Sequence, residues 1–217
     1  MPRALLIAVL VTLVAAVAPA AAPGAPVDTP TDRAATRPHE RIDWRDSVAV
    51  GLPGAGSLIR GVRLPPEGRH YFTWDPILKR QPNRPWRRWA TDDLIRTVLR
   101  VIRGYARAHP GAPRIGIGDL SRPHGGDFGA QFGGLGHATH QNGLDADIYY
   151  PMRSEAERSP LSVNEVNLRL AQDLVDRFVH AGAVVVYIGP NTGLTGPPRV
   201  VQAIPYHDNH LHVRIAG

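Results

Sequence analysis

The chain of 217 residues contains no cysteine. Disulfide bridges and thiolate metal sites are therefore both excluded, and a folded domain must rely on its apolar core or on a metal held by nitrogen and oxygen ligands. Lysine is nearly absent, with Lys79 as the single example, so the formal charge of +6 comes almost entirely from arginine. That charge favours anionic partners such as wall polymers; the alternative is that the arginine bias reflects only genome composition. The arginines form no runs with interleaved aromatic residues, which argues against nucleic acid as a partner.

Apolar runs long enough to approach a membrane span are found only at the start of the chain. In MPRALLIAVLVTLVAAVAPAAAPGAP, a single arginine precedes an apolar stretch that ends in small-x-small sites. This pattern predicts a secretory signal peptide over residues 1–22, with an uncleaved membrane anchor as the alternative. Cleavage would leave a mature chain without a membrane span, in the secreted, periplasmic or cell-wall space. Residues 23–43 are rich in Ala, Pro and Thr and predict a flexible linker, followed by one domain over 44–217.

Periodic patterns predict two helices and several strands. TDDLIRTVLRVIRGYARAHPG carries one apolar stripe at helical spacing, with Thr91 as its N-cap. A second helix is predicted to begin at Ser162, because Ser162 and Glu165 have the spacing of a capping box, and to end at Ala181-Gly182. RIGIGDL, LDADIYY, AVVVYIG and NHLHVRIAG are predicted strands, and AVVVYIG is predicted to be buried. The pattern predicts an α+β fold: a small, mainly antiparallel sheet with flanking helices and long loops.

Five of the ten histidines lie in two short segments, GGLGHATHQNGLDADIYYP and HDNHLHVRI. If the second segment is a strand, His210 and His212 point to the same face. The same alternation places Asp145 beside Asp147, and it directs three apolar residues of that strand towards a core: Leu144, Ala146 and Ile148. Two such strands can build a metal site from nitrogen and carboxylate ligands. That ligand set suits catalytic zinc, which keeps three protein ligands and one open position. The competing interpretation is ordinary hydrogen bonding in a polar loop.

Other polar residues near these segments are weaker candidates. The HATH sequence is not the common zincin motif, because no glutamate follows its first histidine and the flanking glycines disfavour a helix. Asp145 is either a carboxylate that orients a ligand imidazole or a surface residue after a turn. Arg122 and Arg214 can stabilise an oxyanion or bind a substrate carboxylate, although single arginines are common in this chain.

Three separated segments carry a resemblance to a known family. IGDLSRPHGGDFG, HATHQNGLDADIYYP and HDNHLHVRI resemble penicillin-insensitive murein endopeptidases, which belong to the LAS superfamily of zinc metallopeptidases. VGLPGAGSLIRGVRLPPEG resembles the opening segment of that family, so the likeness extends from about Ser47 to the C-terminus. It implies a LAS metallopeptidase-like fold and hydrolysis of peptide cross-links in peptidoglycan, with stem peptides as partners. The chain departs from the family at Thr139, where the family has serine, and in lacking the cysteines of some members.

Carried over by position, the resemblance implies that His140, Asp147 and His212 are the zinc ligands. His210 matches the histidine beside the metal-bound water, and His207 matches another active-site histidine. Which of these two is the main base is left open.

The resemblance also matches His137 to a histidine that can join a secondary metal site. The nearest further candidates for such a site are Asp173 and Asp176. Their helical spacing with Arg169 and Arg177 favours a solvated charged face instead, so one zinc is expected and a second is doubtful.

Three functions remain open on the sequence. The first is a zinc endopeptidase that cuts peptidoglycan cross-links. The second is a zinc-binding domain that recognises wall peptides without cutting them. The third is a zinc hydrolase of another class, such as an amidase, a phosphoesterase or a D-Ala-D-Ala carboxypeptidase. The two histidines beside the complete ligand set favour the first over the second, and the family resemblance favours the first over the third.

Overall fold

One large mixed sheet organises the domain. The computed structural model describes residues 40–129 and 137–217. The predicted signal peptide, most of the predicted linker and part of the glycine-rich loop before His137 lie outside the described residues. Within the described ranges, Glu40 pairs with Arg63, and Ile42 packs against the core.

The strands are short and are joined by long loops. They are β1 (Val48–Leu52), β2 (Ala55–Ile59), β3 (Val62–Arg63), β4 (Glu67–Gly68), β5 (Tyr71–Thr73), β6 (Trp89–Ala90), β7 (Ile115–Ile117), β8 (Asp145–Tyr149), β9 (Ala183–Ile188), β10 (Val201–Ala203) and β11 (His210–Ile215). Seven of them form the main sheet in the order β10-β9-β11-β8-β7-β5-β4. β9 and β10 are parallel, as are β5 and β7. The other four pairings are antiparallel. The α+β prediction is confirmed.

Within residues 40–129 and 137–217, two α-helices cover one face of the sheet. α1 (Asp92–Ala108) begins as predicted, because the Thr91 hydroxyl accepts a hydrogen bond from the Leu94 amide. α2 (Leu168–His180) packs against β9 and α1. The apolar residues of β8 and β11 point to the same core as these helices: Ala146, Ile148, Leu211 and Val213. The alternate residues of both strands therefore occupy the opposite face.

The predicted start of the second helix is wrong. Ser162 and Glu165 lie in a short 3-10 turn, and α2 begins at Leu168 with Asn167 as its N-cap. The Glu165 carboxylate does not return to the Ser162 amide as a capping box requires. It binds Arg158 and the Leu161 amide instead.

The strand prediction for AVVVYIG is confirmed in place but not in burial. Val184 on β9 is 43% exposed, because the helices cover only one side of this part of the sheet. In the part of the chain that the structure describes, no helix has both the length and the apolar character needed to cross a bilayer.

Candidate metal centre

The polar face of β8 and β11 carries acidic residues directly opposite basic ones. The antiparallel register pairs Asp147 with His212 and Asp145 with Arg214. Because side chains alternate along a strand, both pairs lie on the face away from the helices. Asp145 is fully buried and Asp147 is 6% exposed. The sheet therefore holds two carboxylates out of water at its centre.

The HATH segment reaches this face as a loop. His140 has a φ of 72°, a left-handed conformation that costs a residue with a Cβ about 1–2 kcal/mol. Two contacts hold it there: its Nδ1–H donates to the Leu120 carbonyl at 2.8 Å, and its amide donates to Asp145 Oδ2 at 3.3 Å. The β1–β2 hairpin adds support, since the Pro53 carbonyl accepts from the Gln141 amide.

Three ligand-type atoms then form a nearly equilateral triangle. His140 Nε2 lies 3.3 Å from Asp147 Oδ1 and 3.2 Å from His212 Nδ1. His212 Nδ1 lies 3.1 Å from Asp147 Oδ1. Tetrahedral ligands at zinc bond lengths of about 2.0–2.1 Å are spaced about 3.3 Å apart. The geometry of this set fits a metal ion.

A second set of possible ligands shares two of these residues. His137, His140 and Asp147 offer donor atoms that all lie within 4.8 Å of one another, close enough to hold a metal ion. His137 Nδ1 lies 3.9 Å from Asp147 Oδ2. Four side chains from three segments therefore lie close together, and His140 and Asp147 belong to both sets.

Asp145 stands behind this cluster and orients it. Its Oδ1 accepts from His212 Nε2 at 2.7 Å and from Arg214 Nε at 2.7 Å. Because the Nε2 proton of His212 is donated to Asp145, Nδ1 is the nitrogen that faces Asp147, and a metal ion would bind there in place of the second ring proton. Burial lowers the pKa of His212, but its two carboxylate partners outweigh burial and raise the pKa to about 9.

His210 and His207 lie beside the cluster. His210 Nε2 is 3.8 Å from Asp147 Oδ1, and its Nδ1–H donates to Asn209 Oδ1 at 2.7 Å. The His207 ring stacks on it, with 4.7 Å between centroids, and His207 Nδ1–H donates to the Pro205 carbonyl at 2.7 Å. Burial, reinforced by neighbouring imidazoles, lowers the pKa of His210 to about 4 despite Asp147. Burial lowers the pKa of His207 as well, so both rings can be neutral near pH 7, each with Nε2 unprotonated.

The remaining sequence candidates lie further from the cluster. Arg122 donates to the Asp127 carbonyl at 2.6 Å, and Arg214 points at Asp145. Asp173 binds Arg177 and His109, which matches the predicted i,i+4 charged face. A surface cavity of about 440 Å³ opens near the end of α1 and the start of α2, and none of the cluster residues lines it.

Sequence reasoning missed several side chains that touch the cluster, among them Asp119 and Tyr187. Asp119 lies just after β7 and binds His137 Nε2 at 2.7 Å; its acidic side chain at the end of the RIGIGDL strand was the available signal. Tyr187 on β9 is paired in register with His212, and their rings lie 5.5 Å apart. No pattern in AVVVYIG distinguishes this tyrosine from a core residue.

The fold and this cluster define an α+β domain with a group of side chains that can bind a metal ion. Residues 49–182 match the family model described as penicillin-insensitive murein endopeptidase, well over half of the chain. The chain belongs to that family. The matched range contains His137, His140 and Asp147 but ends before His207, His210 and His212, which the structure brings to the same site.

Curated relatives agree with this family. A penicillin-insensitive murein endopeptidase from Haemophilus influenzae is 30% identical over 113 residues, covering 52% of this chain and 35% of the relative. Proteins of the same name from Escherichia coli O1:K1 and from strain SMS-3-5 are each 30% identical over 101 residues, covering 46% of this chain and 32% of the relative. The matched part spans about a third of the length of these relatives.

Proposed function

We propose that this protein is a zinc metallo-endopeptidase that hydrolyses peptide cross-links of peptidoglycan by metal-activated water. The observation that carries the proposal is the triangle of His140 Nε2, Asp147 Oδ1 and His212 Nδ1, with edges of 3.1–3.3 Å. Its occurrence in a member of the murein endopeptidase family supports both the metal and the substrate.

The proposed ligands are His140, Asp147 and His212. Zinc bound there would lower the pKa of a water ligand to about 7 and polarise the scissile carbonyl. The protein's own task is to aim one nitrogen of each imidazole at the metal position, and the Leu120 carbonyl and Asp145 do this by binding the N–H of the other ring nitrogen. Arg214 counters part of the charge of Asp145.

We assign the proton transfer to His210. Its Nε2 is unprotonated when Nδ1–H is bound to Asn209, and Asn209 is itself held by Ser159 Oγ at 2.9 Å. His210 takes the proton of the attacking water and gives it to the amine that leaves when the peptide bond breaks. His207, stacked on the outer side of His210, is proposed to bind substrate or to assist this transfer.

The proposed location follows from the substrate, because peptidoglycan lies outside the cytoplasmic membrane. In this proposal residues 1–22 direct export and are removed, residues 23–43 form a linker, and residues 44–217 form the peptidase domain. N-terminal sequencing of the exported protein tests the cleavage, and a mature chain that still begins at Met1 would contradict it.

Two measurements on the purified domain test the function. Elemental analysis should find about one zinc per chain, and mass spectrometry of products from purified sacculi should find cleaved cross-links that disappear when a chelator removes the metal. Zinc binding without any product would favour a recognition domain. Release of terminal D-alanine alone would favour a carboxypeptidase.

A further inference from the structure

A buried carboxylate outside the ligand set is hydrogen-bonded to one of the site histidines. Asp119 is 1% exposed and accepts hydrogen bonds on both oxygens. Oδ1 accepts from Asn83 Nδ2 at 3.0 Å, and Oδ2 accepts from Arg87 and from His137 Nε2 at 2.7 Å. An ionised carboxylate only accepts hydrogen bonds, so the proton in the last contact belongs to His137 Nε2.

The segment around Asp119 also holds the backbone of the ligands. The Asp147 amide donates to the Asp119 carbonyl at 2.9 Å, and the Gly118 amide donates to the Asp147 carbonyl at 2.8 Å. The next residue, Leu120, accepts from His140 Nδ1. The side chain of Asp119 is therefore fixed to the same rigid segment that places two proposed ligands.

We propose that Asp119 is a positioning residue that fixes the Nε2–H tautomer of His137 and thereby presents His137 Nδ1 as a donor atom to the cation. This inference rests on the metal site proposed above. His137 Nδ1 and Asp147 Oδ2 lie 3.9 Å apart. With the ring proton on Nε2, both atoms carry lone pairs, and both can face a cation bound at this site.

Charge compensation alone does not account for the contact between Asp119 and His137. Arg87 is fully buried beside Asp119 and already neutralises it. Its guanidinium also lies 4.7 Å from the Trp86 ring and 5.4 Å from the Phe128 ring. The hydrogen bond to His137 is therefore available for orienting the imidazole.

An asparagine at position 119 would lose this control. Asn83 cannot turn its amide to compensate, because its Nδ2 also donates to the Gly118 carbonyl and its Oδ1 accepts from the Arg84 amide. The amide nitrogen that Asp119→Asn introduces must therefore face either Asn83 Nδ2 or the N–H groups of Arg87 and His137. Both positions place a donor against a donor.

The test compares zinc affinity, measured by chelator competition, in Asp119→Asn, His137→Ala and the double variant. Loss of an outer partner of a ligand typically weakens metal binding 10–100-fold, and we expect that loss in Asp119→Asn. His137→Ala removes the donor atom itself and should weaken binding at least as much. The double variant should bind no more weakly than His137→Ala, because Asp119 acts through His137. Asn83→Ala, which alters the other oxygen of Asp119, should bind within about threefold of the wild type. His137→Ala leaves the ion pair of Asp119 and Arg87 in place. Its zinc affinity therefore still tests the role of His137 if Asp119→Asn fails to fold.

Nitrogen NMR of the histidine rings reports the tautomer of His137, which would not depend on Asp119 if Asp119 had only a structural role. At alkaline pH, where imidazoles are neutral, His137 of the zinc-free wild type should carry its proton on Nε2. The inference would be overturned by a proton on His137 Nδ1 or by wild-type zinc affinity in His137→Ala. It would also be overturned if the fold-losses of zinc affinity in the two single variants multiply in the double variant. Absence of zinc binding in the wild type would instead overturn the proposed metal site, while the NMR tautomer still tests the role of Asp119.

Discussion

Replacing His210 and His212 one at a time should cause two failures of different kinds, although both residues lie on one face of β11. The ring nitrogen of His210 nearest the ligands is 3.8 Å from Asp147, and its other nitrogen binds Asn209. His210→Ala should therefore leave the ligands in place and remove only the proton acceptor. Losing a general base costs about 10²–10⁴ in rate, or about 3–5 kcal/mol of transition-state stabilisation. Zinc content and melting temperature should stay close to those of the wild type.

His212→Ala should instead remove metal and stability together. His212 is 4% exposed and touches Asp145, Asp147 and His140 within 3.2 Å. Its loss deletes one of three proposed donors and leaves Asp145 without its imidazole partner. Because a metal that binds only the folded state adds its binding free energy to folding, the melting temperature should fall most in zinc-containing buffer.

The assay is release of soluble muropeptides from purified sacculi, measured beside zinc content and thermal unfolding. His180→Ala is the matched control, since His180 is an exposed histidine on α2 and its loss should change none of the three readings. If His210→Ala loses zinc while His212→Ala retains it, the proposed roles are reversed. If both variants keep near-normal activity, this mechanism is refuted.

Three further outcomes are expected. Asp145→Asn should weaken zinc binding 10–100-fold in chelator competition, because the amide no longer offers His212 a charged acceptor; unchanged affinity would show that Asp145 does not orient the ligand. Gly125→Ala should lower the melting temperature far more than Gly111→Ala, since both have positive φ but only at Gly125 would a Cβ lie 2.0 Å from the Gln141 carbonyl; equal losses would contradict this. The pKa of Asp75 is lowered, because hydrogen bonds from two backbone amides and Arg84 outweigh its burial. Asp75 should therefore contribute stability above about pH 4 that is lost as pH falls through its folded-state pKa. Acid unfolding curves of wild type and Asp75→Asn that are parallel below about pH 4 would refute this.

Alternation along single strands was sufficient to predict which side chains share a face. LDADIYY places Asp145 and Asp147 together because successive side chains of any strand point to opposite sides, and the core contains Ala146 and Ile148 as expected. The pairing of β8 with β11 could not be derived in this way. Asp147 and His212 are 65 positions apart, and nothing in either strand specifies its neighbour.

Local motifs were less reliable where a side chain had a stronger competing partner. Glu165 satisfies the spacing of a capping box, but the guanidinium of Arg158 offers it a charged hydrogen bond, and the helix starts further on. Asp119 is the opposite case, because no local motif indicates its role. It stands alone in the sequence, and its importance arises only because folding buries it against Arg87 and His137.

The five histidines around the site share one property that bears on how the protein prepares for a metal. Each has one ring nitrogen bound to an acceptor outside the ring, and the acceptors come from separate segments: the Leu120 and Pro205 carbonyls, the Asn209 amide oxygen, and the carboxylates of Asp119 and Asp145. The proton of each neutral imidazole is thereby placed on a stated nitrogen, and the second nitrogen keeps its lone pair. Because these acceptors belong to strands and turns that the apolar core holds in place, we expect the donor atoms to keep their orientation before an ion binds. Metal removal should therefore lower the melting temperature without altering the backbone amide spectrum far from the site, and a general collapse of that spectrum would show that the ion, rather than the acceptors, organises the cluster.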